Sequence, residues 1–172
     1  MTGTSRRSSF ATPIRVPYIA VIGSALEDAG ELVAAEEVGR RLARRGACVV
    51  CGGLGGVMQA ACRGAKAAAG TTIGILPGED RSEANAFVDF AVATGLGEAR
   101  NTVVVISSDA VIAVGGGFGT LSEMGFALKV GRPVVGLDTW ELSARGVASG
   151  AVVRATSPAD AVERALELAL GP

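Results

Sequence analysis

The 172-residue chain has no histidine. This excludes His-based catalytic triads, imidazole metal ligands and any imidazole proton transfer. Aromatic residues make up only 4%, with a single tryptophan, too few for a stacking track along single-stranded nucleic acid. The formal net charge is -1, so no basic footprint speaks for DNA or RNA. Lysine occurs twice, as Lys66 and Lys129, both at positions that suit a solvent-facing helix side; neither sits in a pyridoxal phosphate context. No apolar run reaches the ~18–20 residues that span a bilayer, which argues against a membrane role. Met1 to Val16 holds Arg6 and Arg7 without an apolar stretch behind them, so it reads as a flexible tail rather than a signal peptide.

Cysteine is scarce and odd in number: Cys48, Cys51 and Cys62. Cys48-Val-Val-Cys51 has C-x-x-C spacing, but it falls in a strand, where positions three apart face opposite ways. Buried small hydrophobes are the better reading than a chelating or redox pair, and a reducing cytoplasm fits.

Hydrophobic residues make up 49% and charged residues 19%. Such a chain folds as a globule, and its length fits one domain, here residues 17–172. The 25 glycines cluster at the ends of apolar runs instead of forming a repeat. Tyr18 to Ile22 is continuously apolar, as a strand buried on both faces should be. Glu31 to Arg45 has helical periodicity, with Leu32, Ala35, Val38 and Leu42 on one face and Gly46 at its end. Ala47 to Cys51 is a strand, Val57 to Ala69 a helix, and Thr71 to Leu76 a strand stopped by Pro77-Gly78. A polar loop, Glu79 to Asn85, precedes a strand within Ala86 to Ala93. Glu98 to Ser107 reads as a helix, Ala110 to Val114 as a strand and Thr120 to Val130 as a helix. Pro133 to Leu137 is a strand, Asp138 to Gly150 is ambiguous, and Ala151 to Arg154 is a short strand. Pro158 to Leu170 is a helix with Ala161, Ala165 and Leu168 inward. The small-residue surface of Val57 to Ala69 is either a contact between copies or ordinary helix–sheet packing. Alternation of strand and helix implies an α/β fold: Rossmann-like, doubly wound, a mainly parallel sheet with helices on both faces. Ligands then bind at the carboxyl ends of the strands, where the glycine turns converge.

The central stretch is Asp109 to Glu123. A buried strand turns through Gly115, Gly116 and Gly117, passes Phe118 and Gly119, and opens a helix carrying Thr120, Ser122 and Glu123. Backbone N–H groups at a helix start attract anions, phosphate above all. Thr120-Leu-Ser-Glu123 also fits a capping box, in which Glu123 would bond back to the Thr120 N–H; both readings stand at this level. A second glycine turn, Gly52-Gly53-Leu54-Gly55-Gly56, lacks the Gly-Lys-Ser/Thr of a P-loop and admits either tight packing or ligand contact. Arg100 is either a surface arginine or a guanidinium turned into the cleft.

Gly115-Gly-Gly-Phe-Gly-Thr-Leu-Ser-Glu123 resembles the P-G-G-x-G-T-x-x-E motif of the Lonely Guy family. Cys51-Gly-Gly-Leu-Gly-Gly-Val-Met58 resembles that family's second glycine loop, Gly74-Ile-Leu-Pro77 its third strand end, and Arg100 stands at its Arg-Lys pair. The order holds from about Ile19 to Leu137. Gly115 replaces the motif's proline and Asn101 the lysine. Within the wider SLOG superfamily, the closer likeness is to the branch with molybdenum-cofactor-carrier-like proteins and relatives of the DNA-processing protein DprA.

The resemblance implies a Rossmann-like site for a small phosphorylated ligand, an AMP-like nucleoside monophosphate or molybdopterin. It places Gly23, Ser24, Gly52, Gly53, Gly55, Met58, Pro77, Asn101, Gly115, Gly116, Gly117, Phe118, Gly119 and Thr120 at that ligand, with the phosphate on the Gly116 to Thr120 amides. In the enzymes of the family it implies hydrolysis of the N-glycosidic bond of a nucleoside 5′-monophosphate. Glu123 would stabilise the oxocarbenium-like state and direct water, and Arg100 would hold the phosphate or assist the base, with no metal and no further cofactor. The alternatives are a non-catalytic carrier of a nucleotide or the molybdenum cofactor, and a DNA-binding module that the net charge disfavours. A homodimer or larger homo-oligomer is also implied. The lysine decarboxylase label often attached to this family gains nothing from Lys66 or Lys129.

Overall fold

A computed structural model describes residues 15–26, 28–143 and 150–171. The first fourteen residues of the expected tail, and the middle of the ambiguous Asp138 to Gly150 stretch, lie outside them. Arg15, at the edge of that tail, pairs with Asp109 across 2.5 Å.

β1 (Tyr18–Gly23) has its apolar run buried on both sides. α1 (Ala29–Arg44) starts two residues before the expected Glu31, because the Asp28 carboxylate accepts from the Gly30 and Glu31 N–H groups at 2.9 and 3.0 Å. β2 (Cys48–Cys51), α2 (Val57–Ala67) and β3 (Thr72–Leu76) follow. β4 is only Phe90–Ala93, the second half of the expected strand. The expected helix over Glu98 to Ser107 divides into a 3-10 turn, Gly97–Arg100, and α3 (Asn101–Ile106). Its run Val103-Val104-Val105 is a poor helix former, since β-branched side chains crowd the preceding turn. β5 (Ala110–Val114), α4 (Phe118–Lys129), β6 (Val134–Leu137), β7 (Val152–Ala155) and α5 (Pro158–Leu170) complete the chain.

The seven strands among the described residues form one sheet in the order β4-β3-β2-β1-β5-β6-β7, with every pairing parallel. Strand alternation sorts the core in two. Ile19, Val21, Ala110 and Ile112 pack toward one face with residues of α1, α2 and α5. Ala20, Ile22, Val111 and Ala113 pack toward the other with Val104, Val105, Met124 and Ala127 of α3 and α4. This is the doubly wound Rossmann-like arrangement. The connections run outward in opposite directions from β1 and β5, so a crevice opens at their carboxyl ends.

The inner face of α5 is Ala161, Val162, Ala165, Leu166 and Ala169, whereas Leu168 is 41% exposed and is not part of it. The i, i+4 stripe sets the buried side, and position 168 lies off that stripe. The small residues of α2 are covered within the chain: Ala60, Ala61 and Ala65 belong to the core. α1 and α2 cross closely enough that a Cβ on Gly39 would lie 1.9 Å from the Ala61 carbonyl oxygen, and one on Gly64 1.8 Å from that of Glu36. Cys48 and Cys51 do face apart; Cys51 Sγ instead meets Cys62 Sγ of α2 at 3.5 Å, and all three thiols are free and buried. No helix among the described residues is long and apolar enough to cross a membrane.

The helix crossing yields a stability test. Gly64→Ala should cost at least about 2 kcal/mol in urea denaturation, since the added methyl meets rigid backbone. Gly125→Ala, at an exposed helix position with nothing within 4 Å of the new Cβ, should gain up to about 1 kcal/mol.

Candidate functional site

The crevice is assembled by glycines that bring backbones close. A Cβ on Gly23, at the end of β1, would sit 2.6 Å from both the Val114 carbonyl oxygen and Val57 Cγ1. Gly115 and Gly116 have φ of 52° and 103°, the left-handed region that disfavours a side chain. α4 then begins at Phe118, with Gly117 as its N-cap residue. That start removes the capping-box reading. Thr120 is the third helical residue and Glu123 the sixth, so Glu123 lies a full turn too deep to cap. Its carboxyl has no hydrogen-bond partner among the described residues, although it is only 7% exposed.

The Glu123 carboxyl faces a cavity of about 420 Å³. Gly23 and Ser24 enter it from β1, Gly52 and Met58 from the second glycine loop, and Pro77 from β3. Arg100 and Asn101 line it at the start of α3, and Gly117, Gly119, Thr120 and Glu123 at the start of α4. Val21, Ile22, Ala25, Leu54 and Glu98, none of them singled out from the sequence, complete the wall.

Arg100 is buried, 8% exposed, and its guanidinium lies flat where Gly52 has no side chain. A Cβ there would stand 2.5 and 2.6 Å from Nη1 and Nη2, and 2.6 Å from Met58 Sδ. Nη1 donates to Asn101 Oδ1 at 2.5 Å, while the buried Nε has no partner. No carboxylate among the described residues comes within ion-pair distance of it. Burial pulls the guanidinium below its ordinary pKa, partly offset by the Glu123 charge. Burial also pushes the Glu123 carboxyl up to about 7, against the opposing pull of Arg100. The site therefore joins a buried cation, a carboxyl poised near neutrality and a helix N-terminus.

Five expected residues do not line this cavity. Gly53, with φ of 76°, packs against Leu76 and Gly74, and Gly55 faces open space. Gly115 is pressed against Glu31, and Gly116 against Thr120. Phe118 is 80% exposed and turns to Trp140, ring centroids 5.7 Å apart. The Gly116 N–H is also taken: it donates to Glu31 Oε1 at 3.3 Å, which leaves the amides from Gly117 onward for an anion.

Three residues holding the turn escaped the sequence reading. Besides Glu31, the Thr139 hydroxyl donates to the Gly115 carbonyl and Trp140 Nε1–H to that of Gly117 at 3.1 Å. Glu31 reads locally as an ordinary first-turn acid, and Thr139 and Trp140 fall in the stretch without periodicity.

Comparison with known proteins adds three findings. The model of the SLOG cluster4 family matches residues 16–162. An uncharacterized protein of Archaeoglobus fulgidus is 44% identical over 124 residues, covering 72% of this chain and 82% of its own. Among solved structures, the molybdenum cofactor binding protein of Rippkaea orientalis superposes with a TM-score of 0.79 at 38% identity, over 88% of this chain and 96% of that one. The molybdenum cofactor carrier protein of Chlamydomonas reinhardtii gives a TM-score of 0.79 at 37% identity, over 91% and 100%.

The raised Glu123 pKa has a signed consequence. Between its ordinary value of 4.5 and about 7, the folded protein holds a proton that the unfolded chain has released. Stability contributed by the neutral carboxyl is complete below pH 4.5 and is lost as pH rises through 7. Glu123→Gln should therefore raise stability at pH 8 by about 3 kcal/mol and change little at pH 4.5, as read from urea titrations at the two values.

Proposed function

The chain belongs to the SLOG cluster4 family, and on that premise we propose that it binds a phosphorylated heterocyclic cargo, the molybdenum cofactor first, and carries it without breaking it. The observation that carries this reading is the buried Arg100 guanidinium. Its Nε is unpartnered, no acid among the described residues pairs with it, and it faces a cavity that also receives the α4 N-terminus. A buried cation without a partner is costly, and an anionic ligand relieves that cost. The likeness to the Rippkaea and Chlamydomonas proteins supports the choice of cargo.

The residues present suit such a group. Gly117 and Gly119 have nothing within 4 Å of where a Cβ would be, so their backbone is open to a phosphate. Arg100, seated on Gly52, holds the same charge from the opposite wall. Val21, Ile22, Leu54 and Met58 supply an apolar lining. Below pH 7 Glu123 is mostly neutral, so its repulsion of the anion is weakened. Asn101 stands where a catalytic family member has lysine; its Oδ1 fixes the guanidinium and adds no second cation. That arrangement favours holding over cleavage.

A second reading rests on Glu123 itself. A carboxyl near neutrality beside a buried arginine suits N-glycosidic hydrolysis of a nucleoside 5′-monophosphate, in which water adds to give free base and ribose 5-phosphate.

The two readings separate cleanly. Purified protein mixed with molybdenum cofactor should retain pterin and metal through native mass spectrometry, and Arg100→Ala should weaken retention about 10- to 100-fold. Absence of retention by the unaltered protein would sink the carrier reading. Under the second reading, a panel of nucleoside monophosphates should release free base, and Glu123→Gln should stop release while ligand remains bound.

A further inference from the structure

Phe118 is the most exposed large apolar residue on the described surface, at 80%, in a chain with one tryptophan, one tyrosine and five phenylalanines. Its ring lies 5.7 Å from that of Trp140, at 33° between planes. Trp140 is not free to turn, because its Nε1–H donates to the Gly117 carbonyl at 3.1 Å. Gly117 at the same time lines the Arg100 cavity and caps α4. Phe118 thus follows Gly117 of the anion seat directly in the chain, Trp140 reaches the same residue from 23 positions away, and the turn is clamped by Glu31 and Thr139.

On the Trp140 side lies a second hollow of about 210 Å³, lined among others by Asp138, Thr139, Trp140, Glu141 and Arg154. Glu141 is held by Arg154 at 2.7 Å. Its carboxylate and that of Asp138 are acceptors beside an aromatic wall. Acceptors at the edge of a stacking surface match a heterocycle that carries amino groups.

Resting on the reading that the α4 N-terminus and Arg100 take a phosphate, we propose that Phe118 and Trp140 form the platform on which the ligand's planar, amino-bearing heterocycle stacks. The ligand then straddles the Gly117 turn, with its phosphate in the Arg100 cavity and its ring system on the aromatic pair. A single platform takes one ring system and not a run of bases. An exposed phenylalanine backed by a pinned tryptophan is preorganised for this contact, because little side-chain freedom remains to be lost. Phe118 acts here as a specificity residue, and Trp140 both stacks and positions the turn.

The only tryptophan is its own reporter. The probes are GMP, whose six-membered ring has the 2-amino-4-oxo pattern of a pterin, and ribose 5-phosphate, which has no ring to stack. Excited at 295 nm, Trp140 should be quenched by GMP and unchanged by saturating ribose 5-phosphate. In calorimetry, Phe118→Ala should weaken GMP about tenfold, the loss expected for one stacked base, and leave ribose 5-phosphate within about twofold. Trp140→Phe, which keeps a ring but removes the donor to Gly117, should weaken both probes together. Binding of both probes without quenching, or equal loss of both in Phe118→Ala, overturns the platform and leaves the phosphate seat standing. Binding of neither overturns the seat and the platform together.

Discussion

A guanidinium resting on bare backbone organises this molecule. Arg100 occupies the space that a side chain at Gly52 would fill, and the cavity is built around that contact. β2 must end where it does, the loop to α2 must pass beneath the guanidinium, and α3 must begin one residue later. Asn101, the first residue of α3, then locks the arginine head by accepting from Nη1. Burying a cation in this way costs free energy that a nearby carboxylate would usually offset. Here the nearest candidate, Glu123, is itself pushed toward its neutral form. Cation and acid share a cavity without pairing, and the field that remains suits an incoming anion.

The glycines divide by what presses on them. Gly23, Gly39 and Gly64 exist for close packing, since a methyl at any of them would enter a neighbouring backbone. Gly115 and Gly116 serve the turn, with left-handed φ and with Glu31 and Thr120 against them. Gly117 and Gly119 line the cavity and have open space where a side chain would be. A run that reads as one phosphate cradle is therefore two devices: a strained bend held by Glu31, Thr139 and Trp140, and an exposed helix start. The same economy marks Cys51 and Cys62. The hydrogen bond with Cys51, together with burial, holds the Cys62 thiol far above its ordinary range, so it stays protonated.

Much of this was legible in the residues. Continuous apolar runs such as Tyr18 to Ile22 and Ala110 to Val114 read as buried parallel strands, and glycines at their ends marked the edge where the cavity opens. Arg100, Thr120 and Glu123 carried their resemblance in sequence. Boundaries were less legible. Asp28 moved the start of α1, and α4 began at Phe118, which turned Glu123 from a cap into a cavity wall. Leu168 fell outside the buried stripe of α5 because neighbouring elements, and not periodicity alone, choose which side of a helix is covered.

The sequence by itself determined the strand–helix alternation, the glycine-rich edge and the chemical types at the site, because hydrophobic period, backbone freedom and side-chain chemistry are local properties. Tertiary structure alone decided which residues meet there. Glu31 reaches the Gly116 amide from 85 residues away, and Trp140 reaches the Gly117 carbonyl from 23. Those meetings depend on β1 lying beside β5 and on the loop after β6 returning over the α4 start. Register and crossover geometry are set by the packing of the whole sheet, so no local pattern around Glu31 or Trp140 announces the partner.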